Sequence, residues 1–293
     1  MKYRITHITK YSYSDPAPVC HNQVHLAPRA LPGQTCDEFR LLVTPTPSHR
    51  GNRADYFGNR IDYFAIDEPH VGLTVTAQSL LSVTSPPTAP MDDSTPWETV
   101  AHSLKRPMSP ETLAAAQFVF PSHHIPYDKL LSDYALTSFS AGAPVVAACQ
   151  DLTRRIHTDF RYDPKATNVN TPVHDVMLRR AGVCQDFAHL QIAMLRTLGL
   201  AARYVSGYLR TMPPPGKPRL IGADASHAWL SVFCGPQGWV DFDPTNNVIP
   251  SSDHITLAWG RDYADVCPIQ GVFVGGGSHS MTISVDVNPL GET

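Results

Sequence analysis

The sequence predicts an α+β protein, with an all-β N-terminal part and a second part in which a central helix packs on an antiparallel sheet. Three observations predict this class. Short strand-like segments with frequent turn residues fill the first 85 residues, a pattern typical of β-sandwiches. A long helix that is apolar on most sides is predicted directly after Cys184, and such a helix belongs in the centre of a domain. Two strands joined by a short turn follow between residues 226 and 243.

An N-terminal β-rich domain is predicted over residues 1–88. Its strand candidates are rich in β-branched and aromatic residues and lie at residues 3–13, 39–44, 53–64 and 73–83. The third of these is predicted to be a hairpin, because Gly58 and Asn59 are turn residues that accept a positive φ and have aromatic residues on both sides.

Residues 89–140 are predicted to be a linker with short helices, and residues 141–293 a core that ends in strands. The linker opens with a run rich in proline, threonine, serine and aspartate, a composition typical of domain boundaries. Apolar residues at three- and four-residue steps predict a helix over residues 142–158. Gly199 is placed to end the helix that follows Cys184, and residues 202–209 are predicted to form a strand.

Charge and hydropathy exclude several classes of partner. A formal net charge of -3 over 293 residues provides no electrostatic footprint for nucleic acid or for an anionic membrane. No run of 18 or more apolar residues is present, so no transmembrane helix is predicted. The first residues lack the apolar region of a secretory signal, and a cytoplasmic location is expected. The oligomeric state is not predicted by any feature.

The six cysteines are scattered and form no C-x-x-C pair. In a cytoplasmic chain of this length, such cysteines are expected to be free thiols. Structural zinc sites need closely spaced ligand pairs. The histidines that lie close to one another in the sequence have no matching cysteine or carboxylate cluster. Neither a metal site nor any other cofactor is predicted.

The chemistry is predicted to lie at Cys184. This residue falls in the predicted first turn of its helix, where unpaired backbone N–H groups and the positive end of the helix dipole favour a thiolate. A thiolate nucleophile needs a base, and the base needs an orienting group. His227 and Asp243, on the two predicted strands that follow, are the candidates for these two roles.

The register of these two strands decides whether the base and the carboxylate can meet. If the turn is centred on Pro236, His227 and Asp243 share one face of the hairpin as diagonal neighbours, within reach of a side-chain hydrogen bond. A slip by one residue would place them on opposite faces. Asp241 also lies on the predicted face. Asp243 is the preferred carboxylate, because it lies at the end of the strand, where the chain opens towards a site.

Each of the three residues alone also has an ordinary structural explanation, as a core cysteine, a structural histidine or a strand-ending aspartate. Their order and positions together favour catalysis. His189 is an alternative base, since it lies more than one turn further along the helix of Cys184, and helix side chains lean towards the N-terminus. A buried histidine without a catalytic role is the other explanation of His189.

Four motifs in this order resemble the bacterial transglutaminase-like superfamily. They are GVCQDFA at residues 182–188, ARYVSGY at residues 202–208, ASHAW at residues 225–229 and GWVDFDPT at residues 238–245. The N-terminal segment also resembles the β region that precedes this core in bacterial members, and GRDY at residues 260–263 resembles their C-terminal extension. The resemblance covers nearly the whole chain and is strongest over residues 140–275.

The resemblance implies a papain-like α+β core in which Cys184 is the nucleophile, His227 the general base and acid, and Asp243 the carboxylate that orients the imidazole. The backbone N–H of Cys184 is a candidate oxyanion donor. The second donor stays open, with Gln185 and residues 162–167 as candidates. The second cysteine and the tryptophan of the papain signature are absent around the nucleophile, which disfavours a papain-type protease.

The expected function is that of a cysteine enzyme that cleaves or transfers at an amide bond of a peptide or protein substrate. The acyl group would pass to water or to an amine acceptor, and hydrolysis is slightly favoured because water needs no dedicated site. Two alternatives remain. One is a non-catalytic scaffold or binding module with the same core, and the other is an acyl transferase that forms amide bonds alongside a partner enzyme.

Overall fold

The structure is a computed structural model that describes residues 1–85, 92–211 and 225–291. The described residues form seven α-helices and fourteen strands, in antiparallel sheets apart from one short parallel pair. The predicted α+β class is therefore confirmed. Among these residues, no helix is long and apolar enough to cross a membrane.

Eight strands from the two ends of the chain form two antiparallel sheets. They are β1 (Lys2–Ala17), β2 (Val19–Val24), β3 (Gln34–Thr44), β4 (His49–Ala54), β5 (Arg60–Ile66), β6 (His70–Val83), β13 (Ile269–Val274) and β14 (His279–Leu290). The strand order is β14-β1-β6-β3 in one sheet and β13-β2-β5-β4 in the other. Side chains of both sheets share one apolar core, as in a β-sandwich, so the predicted all-β N-terminal part is confirmed.

The predicted hairpin is formed by β4 and β5. Ala54 lies opposite Arg60 at its closed end, and Gly58 has a φ of 75°. A residue with a side chain is strained at this φ, which explains the glycine. Asn59 does not share the positive φ; its side chain is buried and binds elsewhere in the molecule, as described below.

The seven helices all lie between β6 and β13 along the chain, and their apolar residues share a core with a central sheet. They are α1 (Trp97–Lys105), α2 (Pro110–Ala116), α3 (Lys129–Leu136), α4 (Val145–Asp159), α5 (Val173–Arg179), α6 (Cys184–Thr197) and α7 (Tyr263–Val266). Helix α6 is buried over most of its length and packs on the central sheet. Gly199, with a φ of 80°, follows its end. The predicted central helix is therefore confirmed.

The central sheet consists of four antiparallel strands in the order β11-β10-β9-β12. They are β9 (Ala202–Leu209), β10 (Ala225–Phe233), β11 (Trp239–Phe242) and β12 (His254–Gly260). Between β10 and β11, Phe233 pairs with Trp239 and Val232 with Val240, which centres the turn on Pro236. The predicted register is confirmed. A short parallel pair, β7 (Arg161–Tyr162) and β8 (Ala181–Gly182), leads into α6.

The last two strands differ from the prediction that placed them in a core over residues 141–293. Strand β14 pairs with β1, and β13 pairs with β2, so both complete the N-terminal sheets. The alternation of residues 281–287 predicts a strand but carries no information about its partner. Each strand adds to an edge that would otherwise be unpaired, β14 to β1 and β13 to β2, and such edges are sites for strand addition.

The predicted linker also differs in part. From residue 92 onwards it contains α1, α2 and α3, and apolar residues of all three helices belong to the same core cluster as α4 and α6. They are packed parts of the second core, because their apolar faces require burial. The predicted limits near residues 88 and 140 stay predictions.

Two side-chain amides from the N-terminal sandwich region hold the outer edge of β12. Gln34 accepts a hydrogen bond from Thr256 N at 2.9 Å and donates one to Thr256 O at 2.7 Å. Asn59 likewise accepts a hydrogen bond from Trp259 N at 3.0 Å and donates one to Trp259 O at 2.8 Å. The two amides thus satisfy main-chain groups that a further strand would otherwise pair, and they fix β12 against the sandwich.

Candidate active site

Cys184 is the first residue of α6. Val183 before it is extended, with a φ of −117° and a ψ of −178°, and Asp186 closes the first turn by accepting a hydrogen bond from Val183 N at 2.8 Å. A Cβ on Gly182 would lie 2.7 Å from the Asp186 carboxylate, so glycine is required in the entry to the helix. The Cys184 side chain is half-buried, as a nucleophile that must meet a substrate requires.

His227 links Cys184 to Asp243. Its Nε2 atom lies 2.8 Å from Asp243 Oδ2, and Cys184 lies close enough to act on the charge of the same ring. Since the carboxylate occupies Nε2, Nδ1 is the ring nitrogen that remains available to Cys184. Burial alone would lower the pKa of His227, but hydrogen bonds and charges from Asp243 and Cys184 outweigh it and raise that pKa to about 10. The predicted diagonal contact between His227 and Asp243 is confirmed.

Asp243 is fully buried and accepts hydrogen bonds on both oxygens. Oδ1 accepts from the backbone N–H groups of Thr245 and Asn246, at 2.9 and 3.2 Å. Oδ2 accepts from His227, from Asn246 Nδ2 at 2.7 Å and from His254 Nε2 at 3.1 Å. Burial favours the neutral acid, but these hydrogen bonds outweigh it and hold the pKa of Asp243 well below its usual range. The group is therefore a carboxylate at neutral pH.

Sequence reasoning missed His254 and Asn246. Asn246 lies in the loop after β11, and the path of such a loop back onto its own strand cannot be predicted from composition. His254 opens β12, a strand that was not predicted. The alternation of apolar residues after His254 could have indicated the strand, but not that this histidine would reach Asp243 across two strands.

The second carboxylate on the hairpin face has a different partner. Asp241 Oδ2 accepts a hydrogen bond from Trp229 Nε1 at 2.9 Å, which leaves Asp243 as the carboxylate of His227. Trp229 is fully buried, and its ring lies over Gly207 of β9. A Cβ at Gly207 would come within 2.4 Å of that ring. The glycine therefore creates the space in which the site residues of neighbouring strands approach one another.

His189, the alternative base, is a buried histidine at a different place. Its Nε2 atom accepts a hydrogen bond from Tyr263 N at 3.1 Å, and its ring stacks on His124 with a centroid distance of 5.3 Å. Burial lowers the pKa of His189 to about 3. These partners indicate a structural role between α6 and the start of α7.

The two candidate regions for a second oxyanion donor lie beside Cys184. Gln185 donates to Val169 O at 3.3 Å, so this amide holds the neighbouring loop. Tyr162 lies opposite Gly182 in the β7–β8 pair. Its side chain is about half exposed, and burial of the ring together with the charge of Cys184 raises the pKa of its hydroxyl. The second donor stays unassigned between these two regions.

Three side chains of the site also form a group of metal-ligand type. One ligand atom each from His227, Asp243 and His254 lies within 4.8 Å of the others. Imidazole and carboxylate suit zinc among other metals. In the structure these atoms already satisfy one another through hydrogen bonds, and the Asn246 amide donates into the same group. No step of the chemistry proposed below uses a metal.

The sequence was compared with protein families and with known proteins. Residues 3–82 match the bacterial transglutaminase-like N-terminal region, and residues 135–244 match the transglutaminase-like superfamily. An uncharacterised protein of Mycobacterium tuberculosis is 41% identical over 297 residues, which cover 99% of this chain and 93% of that protein. A protein-glutamine gamma-glutamyltransferase of Pseudomonas aeruginosa is 32% identical over 133 residues, which cover 44% of this chain and 20% of that enzyme.

Among solved structures, a candidate cysteine protease of Cytophaga hutchinsonii has the same fold. It superimposes with a TM-score of 0.73 at 23% identity, over 100% of this chain and 92% of that one. The likeness includes both the N-terminal sandwich and the second core. With these matches, the chain belongs to the transglutaminase-like superfamily and carries the bacterial N-terminal region in front of the superfamily core.

Proposed function

We propose that this protein is a cysteine-dependent enzyme that cleaves or transfers at amide bonds of a peptide or protein substrate. Cys184 is the nucleophile, His227 the general base and acid, and Asp243 the orienting carboxylate. The observation that carries the proposal is the position of the His227 ring, which hydrogen bonds to Asp243 at 2.8 Å and lies close enough to Cys184 for the two groups to interact. Covalent acyl transfer requires a nucleophile beside a base and a group that orients the base.

The first half of the reaction forms a thioester. The Cys184 sulfur attacks the substrate carbonyl carbon, and the new oxyanion develops beside the Cys184 backbone N–H at the start of α6. When the tetrahedral intermediate collapses, the carbon–nitrogen bond breaks and His227 donates its proton to the leaving amine. Asp243 keeps the His227 ring oriented throughout, with its Nε2–H directed at the carboxylate.

The second half releases the acyl group. An acceptor attacks the thioester, His227 removes its proton, the carbon–sulfur bond breaks and the Cys184 thiolate is restored. Water gives a carboxylic acid, and a primary amine gives a new amide. We propose water as the main acceptor, because it needs no dedicated site. The partial similarity to a protein-glutamine gamma-glutamyltransferase favours the amine as the second candidate.

A peptide library incubated with a fluorescent primary amine distinguishes the two outcomes. Mass spectrometry should detect cleaved or deamidated peptides if water is the acceptor, and amine-labelled peptides if the amine is. Cys184→Ala should abolish both products while the circular dichroism spectrum stays unchanged. Cys36→Ala is the matched control, since Cys36 is also half-buried but lies on β3, and it should leave turnover unchanged.

Thiol reactivity tests the proposal without a known substrate. Cys184 should react with iodoacetamide at pH 6 at least about tenfold faster than the other five cysteines, since thiolates are the reactive species. Burial raises the pKa of the Cys36 thiol, which makes it the internal reference. If Cys184 and Cys36 react equally fast, the proposed chemistry is wrong. A non-catalytic binding module is then the better description.

A further inference from the structure

One carboxylate oxygen of the site serves two imidazoles. Asp243 Oδ2 lies 2.8 Å from His227 Nε2 and 3.1 Å from His254 Nε2. The His254 side chain is at least as buried as that of His227, with 6% and 8% exposed. Their ring centroids are 6.0 Å apart. A carboxylate only accepts hydrogen bonds, so each histidine must carry a hydrogen on Nε2.

The surroundings of the other ring nitrogen of His254 indicate why a histidine occupies this position. Its Nδ1 atom is buried and has no hydrogen-bond partner within the described part of the chain. An unpaired buried nitrogen lowers stability, and a buried apolar side chain would avoid this. Among the described residues, Asp243 is the hydrogen-bond partner of the His254 side chain. The contact with Asp243 is therefore the feature that requires an N–H donor here.

The surrounding elements hold His254 firmly in this place. Its ring packs edge-on against Trp229 at 5.3 Å. It opens β12, whose outer edge is held by Gln34 at Thr256. Asn246 donates to the same Asp243 oxygen from the loop after β11. The carboxylate is thus fixed by donors from a strand and a loop in addition to His227.

We propose that His254 is a positioning residue for the proposed reaction. By donating to Oδ2, it prevents the Asp243 carboxylate from rotating away from His227 and so keeps the His227 ring aimed at Cys184. This inference rests on the proposed function, in which His227 is the base. His254 itself does not touch the substrate or the Cys184 sulfur.

Two variants of His254 separate positioning from simple packing. His254→Phe keeps an aromatic ring but removes the donor. His254→Gln offers an amide N–H at about the position of Nε2 and should restore the function. His70→Phe is the matched control, because His70 is also a buried strand histidine with one bonded nitrogen and one unpaired nitrogen, but it lies on β6.

The first measurement is proton NMR of the ¹⁵N-histidine-labelled full chain. The Nε2–H proton of His227, bonded to a buried carboxylate, should give a far-downfield resonance. In His254→Phe that resonance should broaden or move upfield, because the carboxylate gains rotational freedom. His254→Gln and His70→Phe should retain it. An unchanged resonance in a folded His254→Phe protein would overturn the inference.

The second measurement is the rate of Cys184 alkylation by iodoacetamide at pH 6. We expect a fall of about tenfold in His254→Phe, by analogy with the lower range of losses when the hydrogen-bond partner of a metal-ligating residue is removed. The rate in His254→Gln should recover most of this loss. If wild-type Cys184 reacts no faster than Cys36, the proposed function fails, but the NMR comparison still decides whether His254 positions Asp243.

Discussion

At the scale of single residues, Asp243 is saturated with hydrogen-bond donors. Two reach Oδ1 and three reach Oδ2. Papain-like enzymes with an asparagine in the orienting position exist, but this site cannot accept one easily. In either orientation, the NH₂ group of an asparagine would point at N–H donors in a fully buried place.

Asp243→Asn should therefore inactivate the protein and destabilise it. An unsatisfied buried donor costs about 1–3 kcal/mol, and bonds to a charged acceptor cost more, so we expect a loss of at least about 3 kcal/mol in the free energy of unfolding by urea. Asp241→Asn is the control. Its remaining carbonyl oxygen can still accept the bond from Trp229, so stability and activity should change little.

The protonation of His227 predicts how stability depends on pH. The folded-state pKa is about 10, above the unfolded value of about 6.5. The stabilisation is thus complete below pH 6.5 and is lost as the pH rises towards 10. Urea midpoints of the wild type should fall over this range more steeply than those of His227→Phe. Parallel curves for the two proteins would show that His227 has no raised pKa in the folded state.

The sequence could predict those site residues whose positions are set by local structure, but not those whose positions are set by tertiary packing. Cys184, His227 and Asp243 depend on one helix start and one hairpin register, both of which are local, and the contact between His227 and Asp243 is present. His254 and Asn246 depend on where a loop and an edge strand return to the hairpin. That return is determined by tertiary packing, so sequence patterns do not report it.

At the scale of elements, the central sheet is shaped by a glycine. Gly207 lies on β9 opposite His227, and an added Cβ would lie 2.2 Å from Ile255 O and 2.4 Å from the Trp229 ring. The backbone of β12 cannot yield easily, because Gln34 and Asn59 hold its other edge.

Gly207→Ala should therefore displace Trp229 and spread β9 from β12. Overpacking of this kind costs about 1–3 kcal/mol, and the alkylation rate of Cys184 should fall with it. Gly72→Ala is a matched control in another strand, since the added Cβ would meet only Tyr11 O at 3.3 Å. Differential scanning calorimetry compares the two variants. Equal melting temperatures would mean that the sheet relaxes around Gly207.

The elements themselves were largely predictable. Periodicity located α4, α6 and β9 within a few residues, and the aromatic hairpin β4–β5 carried its own turn signal. Strand β12 was missed, because its apolar run is short and follows a long loop. Whether this segment forms a strand depends on the amides that hold its edge, and no local sequence pattern contains that information.

At the scale of the whole molecule, the N-terminal sandwich supports the candidate site through β12. Gln34 and Asn59 bind its main chain, and Tyr208, Ile255 and Leu257 of the central sheet pack in the sandwich core. The resemblance to a family predicted that a β region precedes the core. It did not predict that β13 and β14 would return to that region, because partner choice between distant strands is a property of the assembled sheets.

Gln34→Leu tests this support. The substitution leaves Thr256 N buried without a partner, while Thr256 O still accepts a hydrogen bond from Arg29 N at 3.1 Å. We therefore expect a loss of about 1–3 kcal/mol in unfolding free energy. The His227 resonance should also shift, since His254 begins the same strand. Gln78→Leu on the exposed face of β6 is the control and should change neither quantity. A shift in stability without any change at His227 would show that the sandwich supports the fold but not the site.

The amide contacts to β12 have a consequence for how copies of this chain behave towards one another. A strand edge with free N–H and C=O groups can recruit a strand from a second molecule and seed aggregates. Gln34 and Asn59 occupy such groups at Thr256 and Trp259 with side chains that cannot extend the sheet. The same two amides that steady the candidate site thus also terminate the sheet. A protein lacking both should self-associate at high concentration, which light scattering would detect.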